Sequence, residues 1–188
     1  MKDRRVRISK FLSLVLRHRP DQIGLTLGDG GWVNVSELLR ALEAAGFPLA
    51  LEELQAVVRA NDKQRFSFSP DGLLIRANQG HSVKVELGYE ATEPPSVLYH
   101  GTAERFLPSI RRQGLVKGSR HHVHLSDKPE TARAVGSRYG VPVVLEIASG
   151  RMRRDGRTFF RSANGVWLAE SVPAEYINFR DDAPDPTP

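Results

Sequence analysis

The sequence contains no cysteine. Disulfide scaffolds and zinc sites with thiolate ligands are therefore excluded, and any metal would have to be held by histidine and carboxylate alone. Nothing approaches the run of about 18 apolar residues that a membrane span needs. The opening MKDRRVRISKF leads into a patterned segment without the apolar core of a signal peptide. No membrane association and a cytoplasmic location are the expectations. The Walker loop, G-x-G-x-x-G and G-x-S-x-G are all missing, so conventional nucleotide and serine-hydrolase signatures are absent. Lysine is scarce too: of 27 basic residues only 6 are lysine and 21 are arginine. Arginine's planar fork suits bidentate contact with phosphate, although genomic base composition gives the same bias.

The 188 residues are 40% hydrophobic and carry a formal net charge of +5, which suits a soluble globular protein of one domain or two small ones. The polar, proline-bearing stretch Glu90 to Ser96 marks the boundary. We place a first domain over 1–93, a second over 94–180 and a disordered tail, DDAPDPTP, over 181–188. The positive field belongs mainly to the second: residues 105 to 161 hold 13 basic residues against 4 acidic ones, net +9.

In the first domain Ile8, Phe11, Leu12, Val15 and Leu16 have the spacing of an amphipathic helix, which Pro20 stops. A second helix starts at Asn34, a capping residue with Glu37 three positions on, and closes at Gly46. A third runs from Leu51 to about Asn61. RFSFS and GLLIR then flank Pro70-Asp71-Gly72, a turn sequence, and predict a hairpin. Three helices followed by a hairpin is the order of a winged-helix domain. The second domain alternates strands (VLYHG, HVHLS, VPVVLEIAS) with short helices (FLPSIRRQGL, KPETARAVGSRYG) and ends in strands around Asn164-Gly165. The fold class is α+β.

Several residues could carry chemistry. Arg17 and His18 fall off the apolar face at the end of the first helix, where cations ordinarily complement the helix dipole; the same pair can hold a phosphate and move a proton near neutral pH. Arg65 opens the first hairpin strand, where a solvated strand-end charge is the plain reading. Arg120 precedes His121-His122-Val123-His124-Leu125-Ser126-Asp127, where strand alternation predicts His122 and His124 on one face and His121 and Val123 on the other. A His-x-His pair is either half a metal site or a polar strand face, and no carboxylate-rich partner set accompanies it. In His100-Gly101-Thr102 the glycine allows close backbone approach by a ligand. Residues alone thus lead to a two-lobed protein handling a phosphorylated ligand, with the reaction open.

Taken in order, Ser9-Lys10-Phe11-Leu12-Ser13, Leu16-Arg17-His18, Gly31-Trp32-Val33, Arg65-Phe66, Ile75-Arg76-Ala77-Asn78-Gln79-Gly80-His81-Ser82, Leu98-Tyr99-His100-Gly101-Thr102, Gly114-Leu115, and Arg120 with His122-Val123-His124-Leu125-Ser126 resemble the RNA 2′-phosphotransferase family. The resemblance spans roughly residues 5 to 180. It implies an N-terminal winged-helix RNA lobe and a C-terminal lobe of the ADP-ribosyltransferase fold, acting on RNA with an internal 2′-phosphate such as a tRNA splice junction carries. NAD⁺ is the implied co-substrate, consumed in the reaction, with no metal. The 2′-phosphate attacks the nicotinamide ribose and expels nicotinamide, giving a 2′-phospho-ADP-ribosylated RNA intermediate. The 2″-hydroxyl of that ribose then attacks the phosphate, releasing RNA with a 2′-OH and ADP-ribose 1″,2″-cyclic phosphate.

The family's Arg-His-Arg-Arg set falls on Arg17, His18, Arg65 and Arg120. The resemblance assigns NAD⁺ contacts to His100, Gly101, Thr102, His124, Ser126 and Asp127, and leaves open which of His121, His122 and His124 faces it. Many ADP-ribosyltransferases use a glutamate on a later strand; Asn164 to Leu168 has none, and Glu170 lies further on. That fits a phosphate nucleophile, which needs no base. Two rivals remain at this point: a transferase that stops after the first step, and a winged-helix binder without turnover. Nothing requires more than a monomer.

Overall fold

The computed structural model describes residues 2–61 and 63–179. The tail expected over 181–188 lies outside the described residues. By contacts the chain forms two compact units. The first comprises residues up to 89 together with 119–121 and 162–164, and the second comprises 90–118, 122–161 and the described residues from 165 on. Two three-residue segments from late in the chain thus belong to the first unit, which a single cut in the sequence does not anticipate.

The first unit runs α1 (Lys2–Arg17), a 3-10 turn (Pro20–Ile23), β1 (Val33–Asn34), α2 (Val35–Ala44), α3 (Leu51–Arg59), β2 (Phe66–Phe68) and β3 (Leu74–Ala77). Ile8, Leu12, Val15 and Leu16 of α1 are buried, as the periodicity requires, and meet Leu38 and Leu42 of α2 and Leu54 of α3 in one core. Asn34 caps α2: its Oδ1 accepts from the amides of Ser36 at 3.0 Å and Glu37 at 3.3 Å. The hairpin pairs Phe66 with Ala77 and Phe68 with Ile75. Its turn is closed by Gly72 N–H donating to Ser69 O at 2.9 Å. The two-residue β1 adds a third, antiparallel strand through Val33 and Ile75. A strand that short has no periodicity to read.

The second unit contains β4 (Leu98–Ala103), α4 (Leu107–Gln113), β5 (Leu115–Val116), β6 (Val123–Leu125), α5 (Pro129–Gly136), β7 (Pro142–Ile147), α6 (Ser149–Arg154), β8 (Phe159–Arg161), β9 (Trp167–Ala169), β10 (Ser171–Val172) and β11 (Ile177–Asn178). All strand pairs are antiparallel, in the orders β11-β7-β4, β6-β9-β8 and β10-β5. A bridge between Tyr99 and Ser126 ties β4 to the end of β6. Leu98, Leu145, Ile147, Met152 and Phe159 lie at the centre of this unit's core. The architecture is therefore mixed, with helices and small antiparallel sheets, consistent with α+β.

Two local expectations need correction. Helix α6 escapes the sequence reading because SGRMRR offers one apolar side chain, Met152, which is nevertheless fully buried. The strand at HVHLS is also shorter than its alternation suggests. It begins at Val123, with Val123 and Leu125 buried and His124 half-buried. His121 precedes the strand and belongs to the first unit, so it shares no strand face with Val123. Its Nε2–H donates instead to Val83 O at 2.7 Å.

Candidate active site

The C-terminal end of α1 delivers Arg17 and His18 to one end of the first unit's core. Leu12, Val15 and Leu16 hold the helix against that core, so the last turn is fixed in direction. The Arg17 side chain reaches across to the hairpin, where Nη2 donates to Arg65 O at 3.2 Å. The same carbonyl accepts from Asn78 N at 2.9 Å. The Arg17 guanidinium lies 5.8 Å from the centre of the Phe66 ring, and its Nε is buried with no hydrogen-bond partner.

Arg65 is placed by Asn61, whose Oδ1 accepts from Arg65 Nη1 at 3.3 Å and from Lys63 N at 3.2 Å. Gln64, between them, sits at φ 41, a left-handed conformation that turns the chain sharply into β2. Arg120 comes from the 119–121 segment.

The electrostatics show that these cations converge. The pKa of Arg17 is lowered to about 10, first by burial and then by the positive charges of Arg65 and Arg120. His18, though largely exposed, is held below its ordinary value of 6.5 by partial desolvation, then by the charges of Arg17 and Arg120. His18 is consequently neutral at pH 7, and its Nδ1 shares a hydrogen bond of 2.9 Å with Ser82 Oγ. Mutual repulsion among folded cations is unfavourable by itself, and an anion placed among them reverses its sign. The arrangement can bind a phosphate and present a neutral imidazole to it.

Sequence reading assigned no role to His81, which lies beneath this cluster. Its side chain is fully buried, and neither ring nitrogen has a partner. Burial foremost, then the charges of Arg17, His121, His18 and Arg76, lower its pKa to about 4. Gly31 makes room for it: a Cβ there would stand 3.3 Å from His81 Nε2. Tyr89 donates to Asn78 O at 2.7 Å, and burial raises its pKa to about 12.

In the second unit His100 Nδ1 lies 3.0 Å from His124 O. A carbonyl only accepts, so in this contact Nδ1–H is the donor. Ser126 Oγ accepts from Lys128 N at 3.0 Å, and Asp127 pairs with Arg161 at 3.9 Å. His122 packs edge-on against Phe160, ring centres 5.4 Å apart. Thr102 is buried, and a Cβ on Gly101 would stand 1.7 Å from Ala132 O. The close approach that Gly101 permits within the fold is that of α5. No three His, Asp or Glu side chains group as a metal site among the described residues, and no described helix is long and apolar enough to cross a membrane.

Comparison with known proteins adds an independent finding. The sequence model described as "RNA 2'-phosphotransferase, Tpt1 / KptA family" matches residues 3–171. A protein of Nostoc punctiforme named "Probable RNA 2'-phosphotransferase" is 53% identical over 174 residues, covering 93% of this chain and 96% of its own. One of the same name from Burkholderia lata is 54% identical over 176 residues, covering 93% and 91%. Another, from Flavobacterium johnsoniae, is 53% identical over 173 residues, covering 92% and 95%.

Proposed function

The chain belongs to the RNA 2'-phosphotransferase, Tpt1 / KptA family, and from that premise we propose that it removes an internal 2′-phosphate from RNA by transferring it to NAD⁺, a consumed co-substrate. The observation that carries this reading is the placement of Arg17 against the Arg65 carbonyl, within reach of the charges of Arg65 and Arg120, with His18 next to it held by Ser82. We read the first unit as a winged-helix lobe and the second as an ADP-ribosyltransferase-like lobe. Support comes from the helix-hairpin order of the one and the β4 and β6 strands of the other.

The three guanidiniums hold the 2′-phosphate. They orient it while it acts as nucleophile, and they neutralise charge when the phosphorus is itself attacked. No base is needed for the first event, because the phosphate is already an anion. In the second, a ribose hydroxyl attacks phosphorus as the RNA 2′-oxygen leaves, and the hydroxyl's proton must go elsewhere. His18 takes it on Nε2, since Nδ1 is engaged by Ser82.

NAD⁺ would supply the ribose carbon that accepts the phosphate and the hydroxyl that later attacks phosphorus, displacing the RNA 2′-oxygen. The donor and acceptor set on β4 and β6 fits such a ligand. The His100 ring is oriented by its Nδ1 contact with the His124 carbonyl, His124 lies on the neighbouring strand β6, and Ser126 and Asp127 follow directly after that strand. Gly101 lets α5 pack on β4 against Ala132 O, and Gly136 of α5 does the same against the Thr102 carbonyl.

The test is incubation with NAD⁺ and a short RNA bearing one internal 2′-phosphate. RNA with a 2′-OH and ADP-ribose 1″,2″-cyclic phosphate are the expected products. An unchanged RNA, or an ADP-ribosylated RNA that persists, overturns the reading. So does wild-type turnover in all of Arg17→Ala, Arg65→Ala and Arg120→Ala.

A further inference from the structure

The segment His81-Ser82-Val83 crosses the end of α1 and is fixed at each of its three residues. His81 is fully buried beneath the cation cluster. Ser82 N–H donates to Arg17 O at 2.9 Å, and Val83 N–H approaches the same carbonyl at 3.4 Å. Val83 O accepts from His121 Nε2–H at 2.7 Å. The backbone of Ser82 is therefore set relative to the last turn of α1 before its side chain makes any contact. From that fixed point Ser82 Oγ reaches His18 Nδ1 at 2.9 Å.

We propose that Ser82 is a positioning residue for His18, orienting the imidazole and occupying Nδ1 so that Nε2 alone exchanges protons with substrate. The proposal rests on the reading of His18 as a catalytic group. A hydroxyl suits this task because its oxygen accepts. Toward neutral His18 it accepts from Nδ1–H, the tautomer that leaves the Nε2 lone pair for substrate. When Nε2 takes a proton the ring becomes an imidazolium, and Nδ1–H still donates to Oγ. No heavy atom moves during the transfer. A carboxylate in the same place would favour the imidazolium. A backbone amide could serve only the neutral ring. The serine also limits rotation of an otherwise exposed side chain, which keeps a group close to its reactive geometry.

The test compares Ser82→Ala and Ser82→Thr with the wild-type protein in two measurements. In turnover of 2′-phosphorylated RNA with NAD⁺, Ser82→Ala lowers kcat by roughly 10- to 100-fold with little change in KM, and Ser82→Thr restores most of it. In nitrogen-15 spectra of the histidine rings, Ser82→Ala moves the two His18 resonances toward the tautomer mixture of histidine in water, and Ser82→Thr leaves them near wild type. Wild-type kcat in Ser82→Ala, or unchanged His18 resonances, overturns the proposal. Should the alanine variant fail to fold, Ser82→Gly removes the same hydroxyl and is judged by the same criteria. If the wild-type protein does not act on the RNA, the proposed reaction fails, and the ring spectra alone decide whether Ser82 positions His18.

Discussion

At the scale of single residues, the site is built from groups whose neighbours push them away from their ordinary ionisation. His81 is the extreme case, neutral and unpartnered inside a ring of positive charge. Its folded pKa of about 4 lies below the ordinary 6.5, so between these values the unfolded chain binds a proton that the folded chain does not. Stability must then rise with pH through that window, being fully present above 6.5 and lost as pH falls toward 4. The shift corresponds to a loss of up to about 3 kcal/mol. We expect urea midpoints, followed by Trp32 fluorescence in a Trp167→Phe background, to fall over that range, and His81→Leu to flatten the curve. A slope unchanged by His81→Leu would assign the pH dependence to other groups. The sequence revealed the types of residue at the site, since Arg17, His18, Arg65 and Arg120 stand out by charge and by motif. It did not reveal the roles of His81, Ser82 and Asn61. Their importance lies in burial, a backbone crossing and an amide oxygen shared by Lys63 and Arg65, none of which has a sequence pattern.

At the scale of elements, legibility followed how much of each signal was local. Helices α1, α2 and α3 carry their own period and stop signals, and the α2 cap is read directly from Asn34. The hairpin carries its turn in Pro70-Asp71-Gly72. Strand β1 and helix α6 instead depend on partners far along the chain, Leu74 and Ile75 for the one and a core pocket around Met152 for the other. Two glycines show the same contrast. Gly46 has φ +75 at the end of α2 with nothing near its missing Cβ, a local need visible in the sequence. Gly101 is needed because Ala132 O lies where a Cβ would be, which only the packing of α5 on β4 reveals. Replacing each by alanine separates the two causes. Gly46→Ala should cost about 1 kcal/mol from conformation alone. Gly101→Ala must displace backbone and should cost about 3 kcal/mol. Thermal unfolding followed by Trp32 in a Trp167→Phe background reads Gly46→Ala in the first unit, and by Trp167 in a Trp32→Phe background reads Gly101→Ala in the second; the two shifts are then compared. Equal, small effects there would mean that α5 shifts freely on β4.

At the scale of the whole molecule, charge is uneven in a way that the count of +5 conceals. The stretch from 105 to 161 carries net +9, yet one of its arginines, Arg120, belongs to the first unit, where its charge acts on Arg17 and His18. On the proposed function the cluster it joins serves one phosphate, whereas other cations of that stretch, Lys117, Arg153 and Arg161, pair with carboxylates. Salt separates these contributions. For single-stranded RNA, log affinity falls with log salt by roughly 0.7 for each phosphate neutralised. An internal 2′-phosphate adds one phosphate to be neutralised, so an RNA bearing it should show a slope steeper by about 0.7 than the same RNA with a 2′-OH. Arg120→Ala should reduce that difference while leaving the slope for the 2′-OH RNA almost unchanged, because it removes a contact to the extra phosphate and none to the backbone. Fluorescence anisotropy of the two RNAs across a salt series, without NAD⁺, measures both slopes with no turnover. Equal slopes for the two RNAs in the wild-type protein would mean that Arg17, Arg65 and Arg120 belong to the general polyanion surface. A difference that Arg120→Ala diminishes ties the charge cluster to the 2′-phosphate itself.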